Sequence, residues 1–301
     1  MPKVSVILPV YNVGPYLDEA LNSLTSQTLK DIEIIAVNDG STDNSEEIIE
    51  KYMANDPRIQ YHYQKNQGLS GARNTGMKFC KGEYVFFMDS DDIIEPDTLE
   101  TCYNTARTNN ADVCIFDAES FYEEGANKIP WSYDRSSFLS ENQRYNGTEL
   151  FSLLLDAEMH RAVVWLQFIK WSYLQQLQLH FYHGIIHEDE LFTPQLFLQT
   201  ENIYYIRRQF IKHRVRSSSI VGKGYSKRNI NCYLTVIDEL LKFQHSPLTE
   251  KFARYTLSKV FYTGHLIPFK EKFGVFWRAM RSGYLKYIGC KSALVFWLKR
   301  K

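Results

Sequence analysis

Residues 4–12 read VSVILPVYN, and this stretch decides how the chain begins to fold. It is an apolar run rich in β-branched residues, which predicts a strand. Tyr11 and Asn12 end the run, and Gly14 and Pro15 follow as turn residues that can open a helix. The chain therefore starts with a strand that passes through a short polar turn into a helix.

The same strand-to-helix unit recurs through the first 120 residues. Residues 32–37 form a second apolar run that is continuous, as expected for a strand covered on both faces. Further strands are predicted at 59–63, 84–88 and 113–116, with helical spacing between them. Five such alternations predict an α/β fold with a parallel, doubly wound sheet, in which ligands bind beyond the carboxyl ends of the strands.

The composition is that of a globular chain. Of 301 residues, 44% are hydrophobic and 15% aromatic, which excludes disordered and low-complexity classes. The five cysteines form no Cys-x-x-Cys pair, so neither a disulfide framework nor a zinc site is expected. The N-terminus lacks the pattern of a signal peptide, and no stretch approaches the ~18 apolar residues of a membrane span. We therefore expect a cytoplasmic protein.

The net charge is zero but unevenly distributed. Residues 1–200 carry 14 Lys/Arg against 30 Asp/Glu, whereas residues 201–301 carry 21 against 5. A basic module of this kind suits a nucleic acid, a membrane surface or an anionic substrate, and the alternative is a solvated face.

Two acidic clusters stand about 100 residues apart. Asp89, Asp91 and Asp92 follow the predicted strand 84–88, and a divalent cation would relieve their repulsion. Mg²⁺ or Mn²⁺ prefers a pair of carboxylates with phosphate oxygens and water. Glu188 and Asp189 lie in the second cluster, where a carboxylate suits a general base. Acidic capping of a helix start is the alternative for each cluster.

Two more features lie between these clusters and the N-terminus. Asp39 follows the second strand, and its oxygens can accept hydrogen bonds from a nucleotide base or ribose. Residues 67–74, QGLSGARN, join small residues to Arg73, whose guanidinium suits phosphate or carboxylate recognition.

Taken in order, these segments resemble the glycosyltransferase family 2 enzymes of GT-A fold, of the bacterial capsule, exopolysaccharide and lipopolysaccharide type. The matching segments, within roughly residues 1–225, are 4–12, 37–43, 68–74, 89–92 and 188–189. The resemblance implies an inverting hexosyl- or N-acetylhexosaminyltransferase. Its donor would be a nucleoside diphosphate sugar, usually UDP-linked, and its acceptor a hydroxyl of a glycan or lipid-linked saccharide.

The resemblance also implies roles for single residues. On the donor side, Pro9, Tyr11 and Asp39 would hold the base, Arg73 would lie near the nucleotide, and Asp89 would approach the ribose.

The implied catalytic groups lie in the two acidic clusters. Asp91, together with Asp89, would hold Mg²⁺ or Mn²⁺ as the cofactor. Asp189 would be the general base, with Glu188 supporting it.

A looser correspondence covers residues 213–219, where Arg216 would close over the diphosphate. His213 in the same segment is either a metal or phosphate ligand or a packed side chain. The segment departs from commoner versions because basic residues crowd positions 207–216, so several arginines compete for one role.

The resemblance divides the chain into three parts. Residues 1–120 would be the nucleotide-sugar-binding half of a GT-A domain, and residues 121–225 the acceptor-binding, catalytic half. Residues 226–301 would form a helical, basic C-terminal region. Its tail, 292–301, sets apolar residues beside cations. We therefore expect the basic last third of the chain to make peripheral contact with an anionic membrane at the inner face of the cell membrane, and ordinary helix packing of the tail is the alternative.

Several other functions compete with this interpretation. A dinucleotide enzyme and a P-loop enzyme are disfavoured because their glycine motifs are missing. A sugar-phosphate nucleotidyltransferase-like enzyme also uses acidic metal ligands, but it needs a basic phosphate-activating site near the first strand. A non-catalytic carbohydrate-binding module is the alternative from another class. We expect no nucleic-acid partner.

Overall fold

The computed structural model describes residues 1–141, 143–216 and 225–299, and a nine-stranded sheet lies at the centre of this part of the chain. The strands are β1 (Val4–Val10), β2 (Ile32–Asn38), β3 (Ile59–Tyr63), β4 (Tyr84–Phe87), β5 (Ile93–Ile94), β6 (Val113–Tyr122), β7 (Arg144–Tyr145), β8 (Gln167–Lys170) and β9 (Ile203–Val215). The helices are α1 (Gly14–Thr25), α2 (Ser45–Met53), α3 (Gly68–Met77), α4 (Thr98–Thr108), α5 (Gly147–Asp156), α6 (Trp171–Leu177), α7 (Asp189–Gln199), α8 (Lys227–Phe243), α9 (Pro247–Thr263), α10 (Phe269–Arg281) and α11 (Cys290–Leu298).

The sheet is parallel in its first half and mixed in its second. The strand order is β3-β2-β1-β4-β8-β6-β9-β5, with β7 paired to β9. Strands β3, β2, β1 and β4 are parallel, as the sequence predicts. Strand β8 runs antiparallel to both β4 and β6, and so separates the fifth predicted strand from the parallel half. The predicted α/β fold is confirmed, with a sheet whose first four strands in the sheet order are parallel.

Strand β6 is longer than the sequence predicts because its second half pairs with β9. A bulge at Phe116 and Asp117 interrupts the parallel register, and the pairing then continues to Tyr122. The predicted boundary near residue 120 falls inside this strand. The division into parts 1–120 and 121–225 stays a prediction.

The sheet separates two apolar cores. Alternate residues of β1 face opposite sides, so that Ile7 joins one core and Val6 and Leu8 join the other. Helix α3 lies close to β1 at Gly76, where a β-carbon would stand 2.5 Å from a methyl carbon of Ile7. The small residues of α3 therefore allow the close approach that brings its polar side chains to the strand ends.

Helices α8 to α11 form the predicted helical C-terminal region. Capping boxes begin α8 at Ser226 and α9 at Ser246, where the backbone N–H groups of a first turn need partners. No helix within the described residues combines the length and hydropathy needed to cross a membrane.

A buried ion pair fixes the segment that follows β6. The bulge turns Asp117 inward, where it accepts hydrogen bonds from Arg135 Nε at 3.0 Å and from the Tyr205 hydroxyl. Asp117 and Arg135 are both almost fully buried. Their pairing ties residues 123–139 to the sheet.

We expect Asp117→Ala to lower the free energy of unfolding by about 3–5 kcal/mol, because it leaves a buried guanidinium without its carboxylate. Chemical denaturation measures this loss. Asp156→Ala is the matched control, since Asp156 pairs with Lys251 at an exposed site and should cost less than about 1 kcal/mol. Equal losses of unfolding free energy in the two variants would contradict the assignment of Asp117 and Arg135 as a stabilising buried ion pair.

Candidate active site

The turns after β1 and β2 hold each other at the carboxyl edge of the sheet. Asn12 adopts a left-handed conformation, with φ of 50°. Its backbone N–H donates to Ser41 Oγ at 3.1 Å, and its side-chain oxygen accepts from Thr42 N at 2.8 Å. Pro9 is buried in β1, whereas Tyr11 is about half exposed at the rim. An aromatic ring is thus presented beside the turn.

Asp39 lies directly beside this turn, because its N–H donates to Val10 O at 2.8 Å. The carboxylate is buried and accepts hydrogen bonds from Gln67 N at 2.8 Å and Gly68 N at 2.9 Å, which open helix α3. It also accepts one from the Gln64 side chain. A carboxylate offers about four acceptor positions, so one remains for a ligand.

Arg73 of α3 joins the two acidic clusters that the sequence places about 100 residues apart. Its Nη2 donates to Asp89 Oδ1 at 2.9 Å. Its Nη1 donates to Glu188 Oε1 at 2.9 Å and to Asp189 Oδ1 at 2.7 Å. The guanidinium is almost completely buried and also stacks over Phe181. One planar group therefore contacts three carboxylates, and these lie around a single point.

Burial and mutual repulsion shift the pKa values of this cluster. Burial raises the pKa of Asp189 to about 7, although the positive charge of Arg73 opposes the shift. The pKa of Glu188 is also raised by burial. For Arg73, burial disfavours the charged form, but the carboxylates, with Asp189 first, raise its pKa. A carboxylate with a pKa near neutrality is matched to general-base chemistry.

The three aspartates after β4 have different surroundings. Asp89 and Asp91 keep partly exposed side chains, and Asp91 pairs with Arg216 Nη2 at 2.7 Å. Asp92 is buried and accepts a hydrogen bond from Arg214 N at 2.8 Å. Asp92 therefore anchors β9 to this loop, while Asp89 and Asp91, each paired with an arginine, keep side-chain surface that a ligand can reach.

His213 packs into the wall beside these aspartates. Its Nδ1 lies 3.2 Å from Asp92 Oδ1, and its ring stacks on Trp165. Burial alone would lower the pKa of His213, but the hydrogen bond and negative charge of Asp92 raise it. Burial raises the pKa of Asp92 to about 6. Ser217–Ser219, which the sequence groups with His213, lie outside the described residues.

A divalent metal fits this donor set only with help from another ligand. Burial and the neighbouring charge of Asp89 raise the pKa of Asp91, which indicates repulsion that a cation would relieve. Within the described ranges, however, no three His, Cys, Asp or Glu side chains are grouped as a metal cage. Two carboxylates supplemented by phosphate oxygens and water are a coordination set that Mg²⁺ or Mn²⁺ accepts.

The structure thus brings Arg73, Asp89, Glu188 and Asp189 into direct contact. Asp91 and Arg216 form an adjacent pair, and Pro9, Tyr11 and Asp39 lie at the ends of β1 and β2.

Tyr16 is a neighbouring residue that the sequence interpretation missed. Tyr16 lies under both Arg214 and Arg216, at 5.0 and 4.8 Å from the ring centroid. Arg214 also pairs with Glu123 and with Glu19. Tyr16 belongs to a helical repeat in the sequence and carries no local sign of a site, so only its contacts identify it.

Comparison with known proteins assigns this arrangement to a family. A model of Glycosyl transferase family 2 matches residues 5–159, which is more than half of the chain and includes Asp39, Arg73, Asp89 and Asp91. The chain belongs to glycosyltransferase family 2. This membership favours the glycosyltransferase interpretation over a nucleotidyltransferase or a non-catalytic module.

Relatives within family 2 extend over most of the chain. Glycosyltransferase GlyA of Streptococcus pneumoniae is 36% identical over 84% of this chain, although the chain spans only 36% of GlyA. The uncharacterized glycosyltransferase EpsJ of Bacillus subtilis is 31% identical, over 86% of this chain and 72% of EpsJ. The chain is thus a family 2 glycosyltransferase, similar in most of its length to bacterial glycosyltransferases.

Solved structures confirm the GT-A fold expected of family 2. Staphylococcus aureus TarS 1-349 in complex with UDP-GlcNAc superposes with a TM-score of 0.74 at 20% identity, over 97% of this chain and 83% of that chain. The mannosyltransferase PcManGT of Pyrobaculum calidifontis, in complex with GDP-Man and Mn²⁺, gives 0.59 at 16% identity, over 96% of this chain and 76% of that chain.

Proposed function

We propose that this protein is an inverting glycosyltransferase that uses a nucleoside diphosphate sugar, UDP-linked, as donor. The acceptor is a hydroxyl of a glycan or lipid-linked saccharide, and the sugar is a hexose or N-acetylhexosamine. The contact of one guanidinium, that of Arg73, with Asp89 on one side and Asp189 on the other carries this proposal. It places a donor-side carboxylate and a candidate base on the same guanidinium, so the two groups that a single displacement needs lie close together.

Asp189 supports the acceptor half of the reaction. Its Oδ1 accepts from Arg73 and its Oδ2 from Val164 N at 3.2 Å, which fixes the plane of the carboxylate. The remaining acceptor positions can take a hydroxyl proton. As that proton moves to Asp189, the hydroxyl oxygen bonds to the anomeric carbon and the bond from that carbon to the diphosphate breaks. Glu188 adds a second negative charge beside Arg73.

Asp89, Asp91 and Arg216 support the donor half. Mg²⁺ or Mn²⁺, when bound to Asp91 and Asp89, would neutralise the negative charge that develops on the departing diphosphate. Arg216 already contacts Asp91 and carries a guanidinium suited to phosphate. The TarS complexes with UDP-GlcNAc and UDP support the choice of uridine.

We expect a UDP-sugar to raise the unfolding temperature more in the presence of Mn²⁺ than in its absence, because a ligand that binds only the native state stabilises it. A thermal-shift screen of UDP- and GDP-hexoses and -N-acetylhexosamines, each with and without Mn²⁺, measures this.

Asp91→Asn should abolish the Mn²⁺-dependent part of that shift, whereas Asp97→Asn should keep it. Asp97 is the control because it pairs with Arg208 on the surface. The proposal fails if none of these sugar nucleotides shifts the unfolding temperature.

A further inference from the structure

Helix α10 presents its largest apolar side chains to solvent. Its buried residues are Lys272, Val275 and Ala279, which are short or cationic. By contrast Phe269, Phe273 and Trp277 recur every four residues and are between 54% and 59% exposed. A helix that packs normally buries its bulky apolar stripe, so this one has its stripe on the outer side.

Helix α11 extends the same exposed surface. The Trp297 ring packs against Phe273 at 5.2 Å and Phe269 at 6.1 Å. Leu294 and Leu298 on α11 are 60% and 74% exposed. The exposed residues Phe269, Phe273, Trp277, Met280, Leu294 and Leu298 together form what is here termed the aromatic face.

Cations surround the aromatic face. Residues 264–301 contain nine Lys/Arg and a single acid, Glu271. Lys270, Arg281 and Lys299 are exposed, and none of them pairs with an acid among the residues that the structure describes. Lys272 differs because its ammonium is buried against the Phe296 carbonyl. The partner of this surface must therefore be both apolar and negatively charged.

We propose that the aromatic face docks on an anionic lipid bilayer. Aromatic rings inserted at the level of the headgroups, beside lysine and arginine side chains that contact anionic lipid, are the combination that holds an interfacial helix. A second copy of the chain is a poorer partner, because a symmetric contact would set the same cations against each other. The sequence interpretation assigned membrane contact to the basic last third of the chain, with the tail 292–301 as its apolar part, and the structure identifies α10 as the larger apolar part of the surface.

Docking on the bilayer would also bring the protein to a lipid-linked acceptor. This part of the inference rests on the proposed function. A cavity of about 420 Å³ beside α10 is lined by Lys227, Arg228 and Arg278. Gly184 and Ile185, which precede the candidate base by a few residues in the sequence, also line this cavity. An acceptor headgroup held at the bilayer would thus meet the cations Lys227 and Arg228 in this cavity.

Co-sedimentation with vesicles tests the docking without any donor or acceptor. We expect the full chain to bind vesicles that contain phosphatidylglycerol, to bind phosphatidylcholine vesicles weakly, and to be released by salt. The variant Phe269→Ser/Phe273→Ser/Trp277→Ser should lose ~10-fold or more in partitioning. Lys270→Glu/Arg281→Glu/Lys299→Glu should lose a similar factor on anionic vesicles, with the aromatic face intact.

The matched control is Met53→Ser/Leu153→Ser/Phe243→Ser, which removes three apolar side chains, each 40% exposed, from other surfaces. It should partition as the unmodified chain does. The unfolding temperature and the UDP-sugar shift of every variant separate a docking defect from misfolding and from failure of the proposed function. Unchanged binding of the aromatic variant overturns the proposal. A dimer that this variant converts to a monomer overturns it too, since the face would then join two copies.

Discussion

Asp189→Asn lowers turnover by ~10² to 10⁴-fold and leaves sugar-nucleotide affinity nearly unchanged, if Asp189 is the base. The amide has the shape of the carboxylate, and its one oxygen can still accept from Arg73 although the hydrogen bond from Val164 N is lost, so the donor side keeps its geometry. It cannot take up the proton of the attacking hydroxyl. The rate of UDP release from the sugar nucleotide with the largest thermal shift, with and without added saccharide, gives turnover. Titration calorimetry gives affinity.

Glu190→Gln is the control for that experiment. Glu190 is the next residue, but its carboxylate faces His160 and does not contact Arg73. We expect its turnover to stay within about tenfold of the original, as for a group outside proton transfer. Parallel loss of affinity and turnover in Asp189→Asn would remove the base assignment.

Replacement of Arg73 by Gln should be the most damaging single change to the site. It leaves Asp89, Glu188 and Asp189 without their shared cation, and we expect the free energy of unfolding to fall by about 3–5 kcal/mol. It should also raise the pKa of Asp189 above its value of about 7, because the charge of Arg73 is what opposes burial. A base works only when deprotonated, so activity falls as pH drops through that pKa. Denaturation curves and a pH profile of kcat/KM measure the two effects.

Arg73→Lys separates charge from geometry. A single ammonium restores the positive charge but not the planar fork that reaches three carboxylates at once. We expect Arg73→Lys to move the acid limb of the kcat/KM profile most of the way back toward pH 7. The same variant should recover only part of the free energy of unfolding. An acid limb that stays in place in Arg73→Gln would show that Asp189 does not titrate in the reaction.

The local sequence pattern predicts where the strands end, but it does not predict which distant side chains meet at those ends. Asp39 and Asp89 are predictable because each directly follows a buried apolar strand, and parallel strands end at one edge. The contact of Arg73 with Asp189 spans 116 residues and depends on how α7 packs against the sheet. Nothing in the spacing of either segment encodes that packing.

The same limit explains the other differences. Strand β8 is four residues long, outside the alternating region, and gives no periodic signal that would set it between β4 and β6. Asp91 and Asp92 are chemically equal neighbours in the sequence. Only the fold of β9 turns Asp92 inward onto the Arg214 backbone and leaves Asp91 for a ligand.

We expect the two arginines on Asp89 and Asp91 to set the order in which a metal ion and a nucleotide bind. Each aspartate already has an internal counter-ion, so a divalent cation alone must compete with guanidinium groups held at 2.9 and 2.7 Å. A cation that bound together with a diphosphate would bring new anionic oxygens, to which the displaced arginines could turn. Such an exchange of partners keeps charge balanced throughout, and we expect it to make metal uptake conditional on the nucleotide.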